Sequence, residues 1–190
     1  GNFTDSSQDL GGADKGLGVV VGDIDADGDL DLIFAHENVD NTIWLNNGSG
    51  AFTNSGQALR DAKTHGIAIA DLDGDGDLDL VFGEDSDGDA IWLNDGSGVF
   101  TLGQTIGNDH THAVALGDVD GDGDIDIVFA DHTDANSVYL NDGTGTFTNN
   151  GQSLASQKTE AIWLADLNGD AKLDIVTAND GEGNRVWLND

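Results

Sequence analysis

An acidic nonapeptide of the form D-x-D-x-D-G-x-x-D recurs along the chain and constrains its fold more than any other feature. It reads DIDADGDLD at 23–31, DLDGDGDLD at 71–79, DVDGDGDID at 118–126 and, in a degenerate form, DLNGDAKLD at 166–174. Successive copies start 48, 47 and 48 residues apart. A fixed period of this length is typical of proteins built from repeated supersecondary units.

Each unit contains four short segments with the composition of β-strands. One apolar run precedes the acidic loop, a second follows it, and a third carries the sequence IWLN or a close variant. An Asn/Asp-Gly turn then leads to a fourth segment containing Phe-Thr, and such a turn between apolar segments is a strong hairpin signal. Four strands per unit predict an all-β fold, a β-propeller of four four-stranded blades. The absence of proline agrees with paired strands throughout.

The repeats divide the chain into blades and leave a half-blade at each end. Residues 1–10 resemble a fourth strand, because Phe3-Thr4 matches Phe52-Thr53, whereas the last unit stops after its third strand. We therefore predict a single repeat domain, 1–190, in which residues 1–10 complete the last blade of their own chain or of a neighbouring chain. The predicted units are a closing strand at 1–10 and blades at 11–58, 59–106, 107–153 and 154–190.

The charge balance excludes several classes of partner. With 37 acidic residues against 6 Lys and Arg, the formal net charge is −31, which repels nucleic acid and acidic membrane surfaces.

No apolar run approaches the length of a membrane span, so we expect no membrane insertion. The absence of cysteine excludes disulfides and thiolate-bound metals. Because methionine is also absent, we expect a processed protein or a piece of a longer one.

The alternating carboxylates of the four loops predict metal binding. A ring of oxygens at this spacing suits a hard divalent cation, and calcium is the expected ion. In the first loop, four aspartates are predicted to bind through their side chains and Asp29 through its backbone carbonyl. The predicted metal ligands are Asp23, Asp25, Asp27, Asp29 and Asp31; Asp71, Asp73, Asp75, Asp77 and Asp79; Asp118, Asp120, Asp122, Asp124 and Asp126; and Asp166, Asn168, Asp170, Lys172 and Asp174.

These loops are not EF-hands, because strand patterns flank them and the twelfth position is not glutamate. We expect about four calcium ions. The fourth loop, 166–174, should bind most weakly, because it carries Asn168, a strained Ala171 at the bend and Lys172, which offers only its carbonyl oxygen.

The acidic loops, together with the WLNDGSGxF segments, resemble the FG-GAP/VCBS repeats of integrin α-subunit-like β-propellers. The resemblance covers essentially the whole chain. It implies calcium loops between the first and second strands of each blade, on the face opposite the usual ligand-binding face. It also implies extracellular or cell-surface work, commonly adhesion or carbohydrate recognition. The family usually has seven blades, whereas this chain supplies four.

A second set of polar residues is predicted at the opposite face, at the mouth of the propeller channel. Two positions, one six residues before each loop and one five after it, carry residues that differ from blade to blade. By family analogy they form a candidate ligand site, although solvated loop residues are the favoured explanation. The candidate residues are His36, His65, Glu84, His112, Asp131 and Glu160.

Histidines and aromatic residues offer further candidates. His110 and His112, with His65, are a possible zinc set, although spacing fixes no fourth ligand, and His132 reads as an exposed loop residue. Aromatic residues that recur at the repeat period are expected to pack between blades, and Trp163 is expected to fill core rather than line a pocket. The recurring residues are Trp44, Trp92, Tyr139 and Trp187.

No catalytic motif is present, so the sequence favours a non-enzymatic, calcium-stabilised extracellular module that binds a glycan or protein ligand or forms a structural assembly. One alternative is the subunit of an extracellular fibre or tandem array, assembled by strand exchange between half-blades. The other is a polysaccharide lyase or hydrolase acting at the channel mouth.

Overall fold

A computed structural model describes residues 1–11, 15–107, 110–156 and 158–190. Within these ranges the chain is all-β, and no helix is long and apolar enough to cross a membrane. Its fourteen strands are β1 (Gly16–Gly22), β2 (Asp31–Asn46), β3 (Phe52–Asn54), β4 (Leu59–Ala70), β5 (Asp79–Glu84), β6 (Asp89–Asn94), β7 (Phe100–Ile106), β8 (Thr111–Gly117), β9 (Asp126–Asp131), β10 (Ala135–Asn141), β11 (Phe147–Ser156), β12 (Thr159–Ala165), β13 (Asp174–Asn179) and β14 (Arg185–Trp187).

Each repeat forms an antiparallel sheet, which we call a blade. Blade 3 is the simplest, with the strand order β11-β10-β9-β8, and blade 4 contains only β12, β13 and β14. In blade 2, β4, β5, β6 and β7 lie in that order. Blade 1 is less regular, because β2 is long enough to serve as its second and third strands. The first residues of β4 pair with β2, so β4 passes from blade 1 into blade 2.

Hydrophobic side chains fill the spaces between successive blades. One cluster joins blades 1 and 2 around Ile33 and Phe82, a second joins blades 2 and 3 around Val81 and Phe129, and a third joins blades 3 and 4. Every residue of β5 and of β9 is buried, since both faces of these strands are covered. The core of the molecule is therefore a series of interblade layers.

Close approach of the inner strands depends on a small residue at one position. A Cβ built on Gly66 would lie 2.9 Å from Cγ2 of Val114 in blade 3, which is too short for a real contact. The equivalent positions in blades 3 and 4 are Ala113 and Ala161, so a small residue occurs in every blade. A larger side chain here would separate adjacent blades.

The two ends of the chain differ from the prediction of a self-closing ring. Residues 1–9 form no strand, and Phe3 is fully exposed. In the described part of the chain, β14 pairs with β13 alone, and no hydrophobic cluster joins blade 4 to blade 1. Large apolar side chains remain exposed at both ends, among them Val19 and Val21 on blade 1 and Val186 and Leu188 on blade 4. The four blades therefore form an open arc.

Candidate functional site

Each acidic segment forms the turn between the first and second strands of its blade, as the family resemblance implied. The turns join β1 to β2, β4 to β5, β8 to β9, and β12 to β13. The first aspartate shapes each turn by accepting backbone N–H groups. In blade 2, Asp71 accepts from Gly74 at 2.8 Å and from Gly76 at 3.0 Å, and Asp166 accepts from Gly169 and Ala171 at 2.6 and 3.0 Å.

The last aspartate of each loop is fully buried and links two turns. In blade 2, Asp79 accepts backbone N–H groups from Leu72 and Asn94, both at 2.8 Å. The same pair of hydrogen bonds recurs in the other three blades, at Asp31, Asp126 and Asp174. These carboxylates thus join the acidic loop to the start of the Asn-Gly turn, a structural role beyond the metal ligation predicted for them.

Three of the four loops bring carboxylate oxygens together in the way a metal site requires. One oxygen from each of three aspartates lies within 4.8 Å of the others, in the sets Asp23, Asp25 and Asp27; Asp71, Asp73 and Asp79; and Asp118, Asp120 and Asp122. In the first loop, Oδ1 of Asp23 is buried and has no hydrogen-bond partner. Clustered carboxylate oxygens with an unpaired buried acceptor fit the oxygen-rich coordination of calcium.

The fourth loop has the same backbone hydrogen bonds but a different set of donors. No three acids of this fully described loop bring oxygens within 4.8 Å of one another. Instead, the side-chain amide of Asn168 donates to Asp170 at 2.9 Å, a neutral partner that the other loops lack. Ala171 occupies the bend at a φ of 70°, where the equivalent Gly76 has 98°. The strained bend predicted from the sequence is confirmed.

The pKa values of several loop aspartates are shifted, by burial in some cases and by backbone hydrogen bonds in others. Burial raises the pKa of Asp79 to about 6, and the charges of Asp73 and Asp75 add to the effect. Burial, with the charges of Asp31 and Asp27, also raises the pKa of Asp25. In the fourth loop, hydrogen bonds from the backbone of Gly169 and Ala171 lower the pKa of Asp166. Burial therefore disfavours the charged forms of Asp79 and Asp25, whereas backbone donors favour the charged form of Asp166.

In the first three blades, the aspartate at the seventh position of the loop contacts the Asn-Gly turn or its equivalent in the same blade. The carboxylate of Asp77 packs against Gly96, where a Cβ would overlap it, and Gly96 has a φ of 78° that also favours glycine. Asp29 and Asp124 make the same contact with Gly48 and Gly143. The Asp29 side chain therefore lies against this turn, and its predicted metal ligand, the backbone carbonyl, stays a prediction.

Residues that connect neighbouring blades on this face were not identified from the sequence. The side-chain amide of Asn94 donates to the carbonyl of Ile24 in blade 1 at 2.7 Å and to that of Leu78 in its own blade at 3.2 Å. Asn141 and Asn189 bridge their blades in the same way. Asn46 bonds only to its own blade, through Leu30. The signal was available, because an asparagine follows the third strand in every unit.

A glutamine forms a second connection that sequence reasoning missed. Gln57 bonds through its side chain to the carbonyl of Gly98 and, at 2.9 Å, to the N–H of Phe100 in the next blade. Gln104 binds both backbone groups of Phe147 at 3.0 and 2.9 Å. Gln8 makes the equivalent pair of bonds to Gly50 and Phe52 at 2.7 and 2.9 Å. Residues 1–10 therefore contact blade 1 through the same glutamine hydrogen bonds by which the end of blade 1 contacts blade 2.

On the opposite face, three of the predicted candidate ligand residues lie together. His65, His112 and Glu160 stand at equivalent positions near the starts of the innermost strands of blades 2, 3 and 4. The imidazole rings of His65 and His112 stack with centroids 4.6 Å apart, and His112 Nδ1 is 3.0 Å from Glu160 Oε2. His132, expected to be an exposed loop residue, joins this group by stacking on His112 at 4.3 Å.

The other three candidates are buried and engaged in local structure. Glu84 is fully buried, with one carboxylate oxygen 3.3 Å from Nε of Arg60, and burial raises its pKa to about 7 despite the opposing charge of Arg60. His36 bonds through its ring to Thr42 at 3.0 Å. Asp131 accepts the N–H groups of Thr133 and Asp134 at 2.7 and 2.6 Å, closing a turn. None of these three lies in the histidine group.

Side chains close to these three buried residues form hydrogen bonds between neighbouring blades. The N–H of Asp131 donates to Asn136 Oδ1 at 2.8 Å, and the amide of Asn136 donates to Thr159 in blade 4 at 3.0 Å. The pair Asn41 and Thr64 repeats the interblade bond between blades 1 and 2 at 2.9 Å. Asp89 replaces the asparagine in blade 2 and accepts from Thr111 at 3.1 Å.

Three of the aromatic residues that recur at the repeat period pack against the interblade clusters, as expected: Trp92, Tyr139 and Trp187. Trp163 differs from its prediction, because 72% of its surface is exposed. The expectation that it fills core was wrong. It occupies blade 4, where the described residues provide no following blade to cover it.

The acidic loops also carry the likeness to known sequences. The family model described as FG-GAP-like repeat matches residues 23–82, 71–129 and 118–177. The chain belongs to the FG-GAP-like repeat family. Each matched segment begins at one acidic loop and ends shortly after the next, so the family unit corresponds to one repeat of this chain. No curated protein matches in a direct sequence comparison.

Two solved structures resemble the fold at low sequence identity. A chain of the crystal structure of BBS1N in complex with ARL6DN, soaked with lead, matches with a TM-score of 0.59 and 15% identity, over 94% of this FG-GAP chain and 53% of that chain. The crystal structure of the V. cholerae biofilm matrix protein Bap1 matches with a TM-score of 0.52 and 19% identity, over 90% of this chain and 30% of that chain. The likeness supports a β-propeller-like fold, and the chain spans about half of the first structure and less of the second.

Proposed function

We propose that this FG-GAP chain is a non-enzymatic module whose acidic loops bind calcium and thereby hold its blades rigid for extracellular ligand binding, adhesion or structural assembly. The observation that supports the proposal most directly is the convergence of three aspartate oxygens in each of the loops 23–31, 71–79 and 118–126. The fourth loop is proposed as a weaker site. The family implies work outside the cell, where calcium is abundant, and the ligand is proposed to be a glycan or a protein.

Calcium would act by relieving repulsion within the hairpins. The loops concentrate negative charge beside the interblade bonds of Asn94, Asn141 and Asn189, so ordering a loop also orders a junction between blades. A ligand that binds only the folded state stabilises it by mass action, by about 4 kcal/mol per site at a free concentration 1,000 times its dissociation constant. Several such sites would dominate the stability of a chain of this size.

The proposal is tested by calorimetric titration with calcium and by melting with and without a chelator. We expect three tight sites and a weaker fourth, and a fall in Tm of roughly 10 °C or more on chelation. Sodium chloride should keep ionic strength constant, because a net charge of −31 is itself sensitive to screening. Magnesium is the matched control ion, since it demands a smaller octahedral site. Identical melts in calcium and chelator would refute the structural role.

A second candidate function is self-assembly through residues 1–10, which gives the fibre or array considered above. The hydrogen bonds of Gln8 support it, because they hold residues 1–10 against blade 1 in the way Gln57 holds the end of blade 1 against blade 2. Beside the exposed edge of β14 lies a cleft of about 600 Å³, whose walls include Gln152, Leu154 and Trp187. Residues 1–10 of one copy would extend blade 4 of another by adding a strand to this edge.

Light scattering in calcium measures the mass of the particle and tests this candidate. Assembly predicts a mass above 19.7 kDa that falls to that of one chain in the double variant Phe3→Ser, Gln8→Ala. The control Leu102→Ser changes an exposed apolar residue outside the first ten residues and away from Gln8. A mass of 19.7 kDa for the unmodified chain at every concentration would exclude assembly of this kind.

The enzyme alternative, a polysaccharide lyase or hydrolase, requires turnover at the face carrying His65, His112 and Glu160. Activity on a panel of glycans that is lost on substituting these residues would support an enzyme. We propose that the panel gives no turnover, and that glycans, where they interact, are bound unchanged.

A further inference from the structure

The face opposite the acidic loops carries a cluster of nitrogen and oxygen donors that is independent of the calcium sites. His112 is the second residue of β8, Glu160 is the second residue of β12, and His132 directly follows β9. Since β8 and β12 lead toward the acidic loops, residues near their starts lie at the far end of the blades. One donor atom from each of the three residues lies within 4.8 Å of the others.

Both histidines direct the same ring nitrogen toward one carboxylate. His112 Nδ1 is 3.0 Å from Glu160 Oε2, and His132 Nδ1 is 2.8 Å from Glu160 Oε1. Both contacts are as short as hydrogen bonds, so the two ring nitrogens already face the carboxylate closely. A cation among the three donor atoms would be held by both imidazoles and by Glu160.

Stacking of the imidazole rings holds three histidines together at this face. His112 lies between His65 and His132, with interplanar angles of 10° and 15° and centroids 4.6 and 4.3 Å away. The three rings therefore form one stack beside the carboxylate of Glu160.

Comparison with the other blades shows that blade 3 departs from the repeat at this point. In every blade, the residue at the position of His132 donates its N–H to the carbonyl of the residue at the position of His110. In blades 1 and 2 these positions carry the ion pairs Lys15–Glu37 and Lys63–Asp85. Blade 3 has histidine at both positions on the same backbone, and one of the two, His132, faces Glu160.

We propose that His112, His132 and Glu160 bind a zinc ion, with Glu160 bridging blades 3 and 4. Two imidazoles and a carboxylate form a donor set typical of zinc, whereas calcium prefers oxygen alone. Glu160 is 45% exposed, which leaves room for water or a ligand oxygen at a fourth coordination position. The predicted zinc set of His65, His110 and His112 is thereby replaced, because only His112 belongs to the donor cluster among the described residues.

Calorimetric titration with zinc chloride, in millimolar calcium so that the acidic loops are saturated, tests the proposal. We expect one zinc per chain, with affinity that excess calcium does not reduce. Two variants remove ligands without introducing residues foreign to the fold: His112→Leu installs the residue of blade 1, Leu17, and Glu160→Gln removes the charge alone. Each should weaken zinc binding by about tenfold or more. The matched control Glu182→Gln should leave it unchanged.

Substitution of cobalt for zinc provides a second readout that does not depend on affinity. Coordination by nitrogen should give cobalt a visible absorption spectrum that the double variant His112→Leu, His132→Asn lacks. Melting curves in calcium confirm that the variants fold. Unchanged zinc binding in the folded double variant would overturn the proposal, as would zinc binding that is lost only when loop aspartates are changed. Because calcium is saturating, failure here would leave the calcium proposal intact.

Discussion

Blades 2 and 4 are built from the same repeat, yet only one of them is enclosed by the fold. Blade 2 packs on both faces, and all residues of β5 are buried. Among the described residues, blade 4 packs on one face only, and 57% of the surface of Val186 is exposed. Both acidic loops nevertheless have the same backbone hydrogen bonds. The local turn is therefore a property of each repeat, whereas burial depends on a neighbouring blade.

The loops of these two blades form the same turn but differ in how their acidic side chains are arranged. Asp71, Asp73 and Asp79 converge in blade 2, and burial together with neighbouring charge raises the pKa of Asp79. In blade 4, Asn168 supplies an internal donor and the pKa of Asp166 is lowered. The turn thus forms on the same backbone hydrogen bonds whether or not three carboxylates converge.

The largest expected difference between the blades concerns their cores. Ile91 in blade 2 and Val186 in blade 4 are equivalent residues, but Ile91 is fully buried. Ile91→Ala should lower the free energy of unfolding by about 2 to 5 kcal/mol, whereas Val186→Ala should lower it by less than about 0.5 kcal/mol. Urea denaturation in calcium measures both. A comparable loss at Val186 would show that another molecule covers blade 4 in solution, and dilution would then reduce it.

The second difference concerns pH, because Glu84 in blade 2 corresponds to Asn179 in blade 4. Burial raises the pKa of Glu84 from 4.5 to about 7, with Asp87 adding to the shift and Arg60 opposing it. Between pH 4.5 and pH 7, Glu84 holds a proton in the folded state that it releases in the unfolded state. The contribution of Glu84 to stability is therefore greatest below pH 4.5. Stability should then fall as pH rises toward 7, by up to about 3 kcal/mol.

Urea denaturation at several pH values in saturating calcium measures this contribution. The variant Glu84→Gln should show a smaller fall in stability between pH 5 and pH 8, whatever its absolute stability, and the part due to Asp89, whose pKa burial also raises, should remain. The exposed Glu182→Gln is the control and should retain the fall. An identical slope in Glu84→Gln and the unmodified chain would mean that Glu84 titrates normally.

The third difference lies in the loops and is tested by exchanging residues between them. Asp73→Asn gives loop 71–79 the residue of blade 4, and Asn168→Asp makes the reverse change. Loss of a converging carboxylate should weaken one tight calcium site by about tenfold or more, and Asn168→Asp combined with Lys172→Asp should strengthen the weak one. Calorimetric titration resolves the two classes of site. The comparison fails if Asp73→Asn leaves the tight sites unchanged.

The sequence predicted the parts of the molecule that repeat. The strands, the turns between them and the aspartates of loops 23–31, 71–79 and 118–126 follow from periodicity and turn chemistry. The histidine cluster was predicted only in part, because His132 belongs to a different strand end from His65 and His112 and no spacing relates them. The exposure of Trp163 was mispredicted, since burial there requires a blade that the repeat itself does not supply.

The smallest expected difference concerns the backbone at the bend of the loop. Ala171 has a φ of 70°, a region that disfavours residues with a Cβ, whereas the equivalent Gly76 in blade 2 adopts 98° without this penalty. Ala171→Gly should raise the free energy of unfolding by about 0.5 to 1 kcal/mol, and Gly76→Ala should lower it by at least as much. Both are measured by urea denaturation in chelator, so that metal affinity does not contribute. A stabilising effect of Gly76→Ala would show that the two bends differ in conformation.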